Sequence, residues 1–223
     1  MVELILEYIS IFLALMLVLP IHEFAHALVA VKCGDITPKL SGRYTINPLA
    51  HFDLSGLLCF LVAGFGWTKP VPINPNNFKN YKAGCVLTSI SGVIANYLLA
   101  FVAYPLFILI AMYMPSLGYF RYVFLNTLYY TINMSLAFFV FNLIPVYPLD
   151  GFRLLDAFNK KRGSVYRFLR DKGRIILLFF IVLGIFADIF NFEYLDVLGQ
   201  FIRFIAGILE FPIAKFWGLI FYG

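Results

Sequence analysis

Long apolar runs broken by short polar stretches dominate the chain, and their lengths predict membrane-spanning helices rather than a folded soluble core. The first run extends from Leu4 to Val31 and ends at Lys32 and Gly34, with Gly34 suited to a helix C-terminal cap. Pro20 lies inside it and predicts a kink. Residues 35–54 are polar and turn-rich, and Tyr44-Thr45-Ile46 after Ser41-Gly42 predicts a small β-hairpin. Ser55 to Gly66 is apolar but short, which fits a re-entrant segment or a short tilted helix. Ala83–Met114, Tyr119–Ile144 and Ile175–Phe190 predict further spans. The Tyr119–Ile144 run carries Asn126, Thr127, Thr131, Asn133, Ser135 and Asn142, a polar side expected to face other helices. Residues 197–222 predict either a last span or an interfacial amphipathic helix. The expected fold is an all-α polytopic membrane protein with five to six transmembrane helices, a re-entrant segment and a small β-hairpin.

Composition strengthens this reading. Of 223 residues, 62% are hydrophobic and 13% charged, against about 45–50% and about 25% in soluble domains. Both a soluble core and a disordered chain are excluded. The net charge of +5 needs no nucleic acid to explain it. Fourteen of 17 Lys and Arg lie within residues 32–84 and 153–174, which the positive-inside rule assigns to the cytoplasm. Glu3 and Glu7 at the start of the first run argue against a secretory signal and for a retained span. Cys33, Cys59 and Cys85 have no metal-binding or redox spacing.

The chemistry concentrates in His22-Glu23-Phe24-Ala25-His26. Two histidines four apart on a helix share one face, one turn apart, and can bind one Zn²⁺. Glu23, next to the first of them, stands where a general base is required. A carboxylate and two imidazoles inside a span are costly and imply function. A catalytic zinc takes three protein ligands, and spacing alone leaves Asp150, Asp53 and His51 open as the third.

Five separated motifs carry a resemblance. They are H-E-F-A-H-A at 22–27, N-P-L-A-H-F-D at 47–53, G-W-T-K-P-V-P-I-N-P at 66–75, S-G-V-I-A-N at 91–96 and N-L-I-P-V-Y-P-L-D-G at 142–151. In this order they resemble the site-2 protease family of intramembrane zinc metalloproteases, in its compact prokaryotic branch without a PDZ domain. The resemblance implies one transmembrane metalloprotease domain over residues 1–223. It implies one Zn²⁺ per chain held by His22, His26 and Asp150, with Glu23 as catalytic base. Asn142 and Asn96 match asparagines expected at the substrate or oxyanion. His51 and Asp53 are candidates to support the site from behind the ligands. Two positions depart from the family pattern: Val93, where many relatives carry Pro, and Phe152, where a second Gly is common.

The implied partners are single-span membrane proteins as substrates and the lipid bilayer, with no nucleic acid; a homo-oligomer stays open. The implied location is the cell membrane, multi-pass, with the active site toward the cytoplasm. The competing readings are a non-catalytic zinc-containing scaffold or chaperone, which needs no Glu23, and an ion transporter, which predicts paired repeats that the sequence lacks.

Overall fold

The computed structural model describes residues 1–56, 68–114, 118–159 and 161–223. Five of its helices are long and apolar enough to cross a membrane. We number the helices α1 (Val2–Lys32), α2 (Thr37–Leu40), α3 (Pro48–His51), α4 (Tyr81–Tyr113), α5 (Gly118–Leu143), α6 (Asp150–Phe158), α7 (Ser164–Phe190) and α8 (Val197–Phe221). The five span-length helices are α1, α4, α5, α7 and α8. The segment read as re-entrant, Ser55–Gly66, lies almost wholly outside the described residues.

Small residues four apart explain the central packing. On α1 the buried positions include Ser10, Ala14, Val18, His22, His26 and Ala30. On α4 they include Gly84, Thr88, Gly92, Asn96 and Ala100. On α5 they include Thr127, Thr131 and Ser135. Each set is an i, i+4 ridge, and ridges of small side chains let helix backbones approach closely. The H-E-x-x-H histidines therefore continue a packing ridge rather than interrupting it. The polar side expected on α5 divides in two. Thr127, Thr131 and Ser135 are buried, while Asn126 and Asn133 donate to carbonyls of their own helix, Tyr122 O and Tyr129 O.

Helix α8 joins the bundle through Ile213, which is buried with Ala100, Ala103, Ile132 and Leu136. The Trp217 indole donates to Phe101 O at 2.9 Å. Helix α7 begins 11 residues before the span expected from Ile175. Arg, Lys and Leu are good helix formers, so the basic stretch is helix rather than loop. The chain breaks at Pro145–Pro148, as its prolines require. Gly34 follows α1 with φ +116°, a conformation that favours glycine.

The hairpin expectation is corrected. Residues 44–46 form no strand; the only pairing among the described residues is an isolated bridge between Phe52 and Thr68. The reason is local. Pro38 and Pro48 start the short helices α2 and α3, and the Thr45 carbonyl is taken by the His51 ring at 2.7 Å. A strand would need that carbonyl for its ladder.

One buried carboxylate ties the end of α1 to the distant segment before α4. Asp35 is wholly buried. It accepts from Thr37 N at 3.0 Å, Asn74 N at 2.7 Å and Asn77 Nδ2 at 2.8 Å, and also from the Thr37 hydroxyl. Burial pushes its carboxyl pKa up, but these donors outweigh burial and hold it below the ordinary value. An Asp35→Asn substitution is expected to cost about 1.5–3 kcal/mol, as for hydrogen bonds to a charged group. The folded-state pKa is depressed, so the stabilisation is present in full above the ordinary value of 3.8. It is lost as pH falls through the lower folded value. Thermal melts of wild type and variant in detergent should differ at neutral pH and converge in acid.

Candidate metal centre

Antiparallel packing of α1 on α4 builds the floor of the site. His26 lies against Thr88 and His22 against Asn96, with Gly92 between them. A Cβ at Gly92 would stand 2.5 Å from His26 Nε2 and 2.6 Å from His22 Cε1. The two imidazoles therefore rest directly on the α4 backbone. The rings meet nearly edge to face, at 87°, and their Nε2 atoms are 3.0 Å apart.

The third arm comes from the break after α5. Asp150 is the first residue of α6, where a helix N-terminus favours negative charge. Its Oδ2 lies 3.2 Å from His22 Nε2 and 3.0 Å from His26 Nε2. Its Oδ1 faces Arg153 Nη1 at 3.6 Å. Gly151 permits this approach, since a Cβ there would lie 2.3 Å from Leu143 O and 2.6 Å from Ile144 O.

Hydrogen bonds behind the histidines set their ring protons. His26 Nδ1 donates to Thr88 O at 2.7 Å, because a carbonyl can only accept. Its Nε2 therefore presents a lone pair to the site. The Asn96 carboxamide lies 3.2 Å from His22 Nδ1, and its Oδ1 takes no hydrogen bond. Rotating the amide by half a turn places Oδ1 on the His22 Nδ1–H, satisfies that oxygen and frees His22 Nε2 as well.

The donor set fits a metal ion. Asp150 Oδ2 is buried and takes no hydrogen bond. It converges with two imidazole nitrogens, and all the ligand atoms of this group lie within 4.8 Å of one another. Tetrahedral zinc with bonds of about 2.0–2.1 Å separates its ligand atoms by about 3.3 Å, close to the 3.0–3.2 Å found here. A buried cluster of lone pairs without a cation would be costly.

Glu23, between the two histidines in sequence, turns toward the segment after Thr68. Its Oε2 accepts from Val71 N at 3.0 Å, and the Thr68 hydroxyl reaches Oε1 at 3.5 Å. The remaining sequence candidates are dispersed. Asn142 is half-buried and donates to Phe138 O of its own helix at 3.1 Å. His51 is wholly buried and its ring bonds the Thr45 carbonyl. Asp53 accepts from Ser55 N and Gly56 N at the start of the next helical turn. None of these three contacts a ligand atom of the group among the described residues. No sequence motif marks Thr88, and Gly92 stands out in the sequence only as part of S-G-V-I-A-N at 91–96. The Thr88-Gly92-Asn96 spacing of four was the available signal, matching that of His22 and His26.

Among the described residues, five span-length helices and a buried His-His-Asp cluster define an all-helical, polytopic membrane protein with a candidate metal centre. The chain is 43% identical over 136 residues to "Putative zinc metalloprotease YwhC" of Bacillus subtilis (strain 168). The match covers 60% of this chain and 62% of that protein, so the chain spans less than two thirds of its relative's length. No family model and no solved structure matches the chain.

Proposed function

We propose that the chain is an intramembrane zinc metalloprotease that hydrolyses peptide bonds in or near transmembrane segments of single-span membrane proteins. The observation that carries this reading is the buried convergence of His22, His26 and Asp150, with Asp150 Oδ2 left without a hydrogen-bond donor. The similarity to a putative zinc metalloprotease supports the zinc and the protease class.

One zinc ion per chain would be held by His22 Nε2, His26 Nε2 and an Asp150 carboxylate oxygen. Bound there, zinc supplies Lewis acidity that polarises a carbonyl and lowers the pKa of water. Glu23 takes the proton as water attacks the peptide carbon, and returns it to the leaving amine. No covalent intermediate forms. The Val71 N–H holds Oε2, which leaves Oε1, reached by the Thr68 hydroxyl at 3.5 Å, to carry the proton. Asn96 and Thr88 keep both imidazoles turned with Nε2 inward. Oxyanion stabilisation by Asn142 would require its side chain to leave Phe138 O when substrate binds.

The active site faces the cytoplasm. The positive-inside rule supports this, because the basic residues cluster in the segments around α2–α3 and α6–α7. The histidines also sit in the last third of α1, nearer its Lys32 end.

Chelation tests the proposal. The purified full chain in detergent should contain about one zinc per chain, as a single three-ligand site requires. It should cleave a single-span membrane protein probe. Dipicolinate should abolish cleavage and added Zn²⁺ should restore it. A chain that holds zinc but never cleaves would favour the scaffold reading.

A further inference from the structure

The turn that carries Asp150 is gripped from two sides. On one side Gly151 lies against the carbonyls that end α5. On the other lies the first half of α7, a helix that also packs on α8 and the segment at Glu193–Leu195. Four contacts make that second side, one of them a main-chain bond in which Tyr147 N–H donates to Leu169 O at 3.4 Å. The Phe152 ring, 5% exposed, stacks on Tyr166 with centroids 5.2 Å apart and planes at 30°. Gly173 passes so close to the turn that a Cβ there would lie 2.7 Å from both Tyr147 O and Val146 Cγ1. Arg174 Nη2 donates to the Tyr147 hydroxyl at 3.1 Å, with its guanidinium 4.9 Å from that ring.

Tyr166 is itself pinned. It is 5% exposed, and its hydroxyl donates to Asp156 at 2.6 Å. Asp156 lies on α6, the helix that Asp150 begins. Tyr166 and Gly173 are seven residues apart and share one face of α7 with buried Leu177. That face is therefore shaped to the Val146–Phe152 turn, with a ring where the turn offers a ring and no side chain where the backbone crowds. Phe152 gains a reason as well. A second glycine after Asp150-Gly151 would leave Tyr166 without its stacking partner and open a void beside the ligand.

We propose that Phe152, Tyr166 and Gly173 form a positioning clamp through which α7 sets the metal affinity of a centre it does not touch. The clamp fixes the first turn of α6, and with it the direction of the Asp150 carboxylate. The inference rests on the reading of His22, His26 and Asp150 as metal ligands.

The test uses the purified full chain in detergent. It reads Zn²⁺ affinity by competition with a chromophoric chelator, and the visible absorption of the Co²⁺-loaded protein, which reports ligand geometry. Tyr166→Leu and Gly173→Val should each weaken Zn²⁺ binding by about 10–100-fold, the range for groups that orient ligands. Both should alter the Co²⁺ bands. Tyr166→Phe, which keeps the ring, should stay close to wild type. Phe179→Ala, at an exposed position on the same helix, should change nothing. Phe152→Leu keeps apolar volume but loses the stack, and decides the matter if Tyr166→Leu fails to fold. Wild-type affinity and spectrum in Tyr166→Leu, Gly173→Val and Phe152→Leu would overturn the clamp, provided Asp150→Ala loses metal. Unchanged metal binding in Asp150→Ala would instead overturn the ligand assignment, and the clamp with it.

Discussion

Replacing Glu23 by Gln is expected to leave zinc occupancy at the wild-type level and to lower kcat for peptide hydrolysis by about 10²–10⁴-fold, the contribution of a positioned general base. The two halves of this expectation have separate origins. Occupancy is preserved because the cluster that can hold the metal is His22, His26 and Asp150, and Glu23 is not a member of it. The substitution is also nearly isosteric, so a carboxamide oxygen can still accept the Val71 N–H that holds the present carboxylate at 3.0 Å. Hydrolysis fails because a carboxamide cannot take up a proton at neutral pH. Zinc analysis and cleavage of a single-span probe, run on the same preparation, read both halves. Full activity in the variant would move the base elsewhere. Loss of zinc with loss of activity would make Glu23 a ligand.

What the sequence discloses about the site follows from how local each interaction is. His22 and His26 are legible because a helix converts a spacing of four into one face. Asp150 lies 124 positions beyond His26, and no periodicity connects them. Spacing left Asp53 and His51 equally open, and the family resemblance had to choose. In the structure those two residues serve their own loop. His51 takes the Thr45 carbonyl, and Asp53 caps the residues just after it. Thr88 is nearly silent in sequence because it acts through its main-chain carbonyl, which every residue possesses. Asp35 is silent for another reason, since its donors Asn74 and Asn77 lie about forty residues away.

The fold divides the same way. Span-length helices are written in apolar runs, and four of the five begin and end within about two residues of the expected bounds, inside the usual uncertainty of helix ends. The early start of α7 was hidden because its first turns are basic. Their burial comes from Tyr166, Leu169 and Gly173 meeting the Asp150 turn. The expected strand at 44–46 failed because β-prone residues were read without the prolines that begin helices on either side. Tertiary hydrogen bonding decided that segment, not propensity.

Gly92 is where fold and site are least separable, and Gly92→Val is expected to abolish metal binding while the helices persist. The position offers no room. A single Cβ would lie 2.5 Å from His26 Nε2 and 2.6 Å from His22 Cε1, far inside van der Waals contact. Relief has two routes. The imidazoles can rotate away, which breaks their bonds to Thr88 O and Asn96 and turns both Nε2 atoms out of the site. Alternatively α1 can separate from α4, which opens the ridge of small residues that packs them and carries the histidines away from Asp150. Both routes disperse the three ligand atoms. The loss of zinc affinity should therefore exceed the roughly 10–100-fold of a lost orienting group. Helicity should survive, because valine is tolerated within spans and the other small positions on α4 are unchanged. Circular dichroism and zinc competition on the variant check the two parts. Gly92→Ala, with one methyl in place of three carbons, should fall between wild type and the valine variant. Wild-type affinity in both variants would mean that the imidazoles do not rest on this stretch of α4, and the ligand geometry built on it would fall.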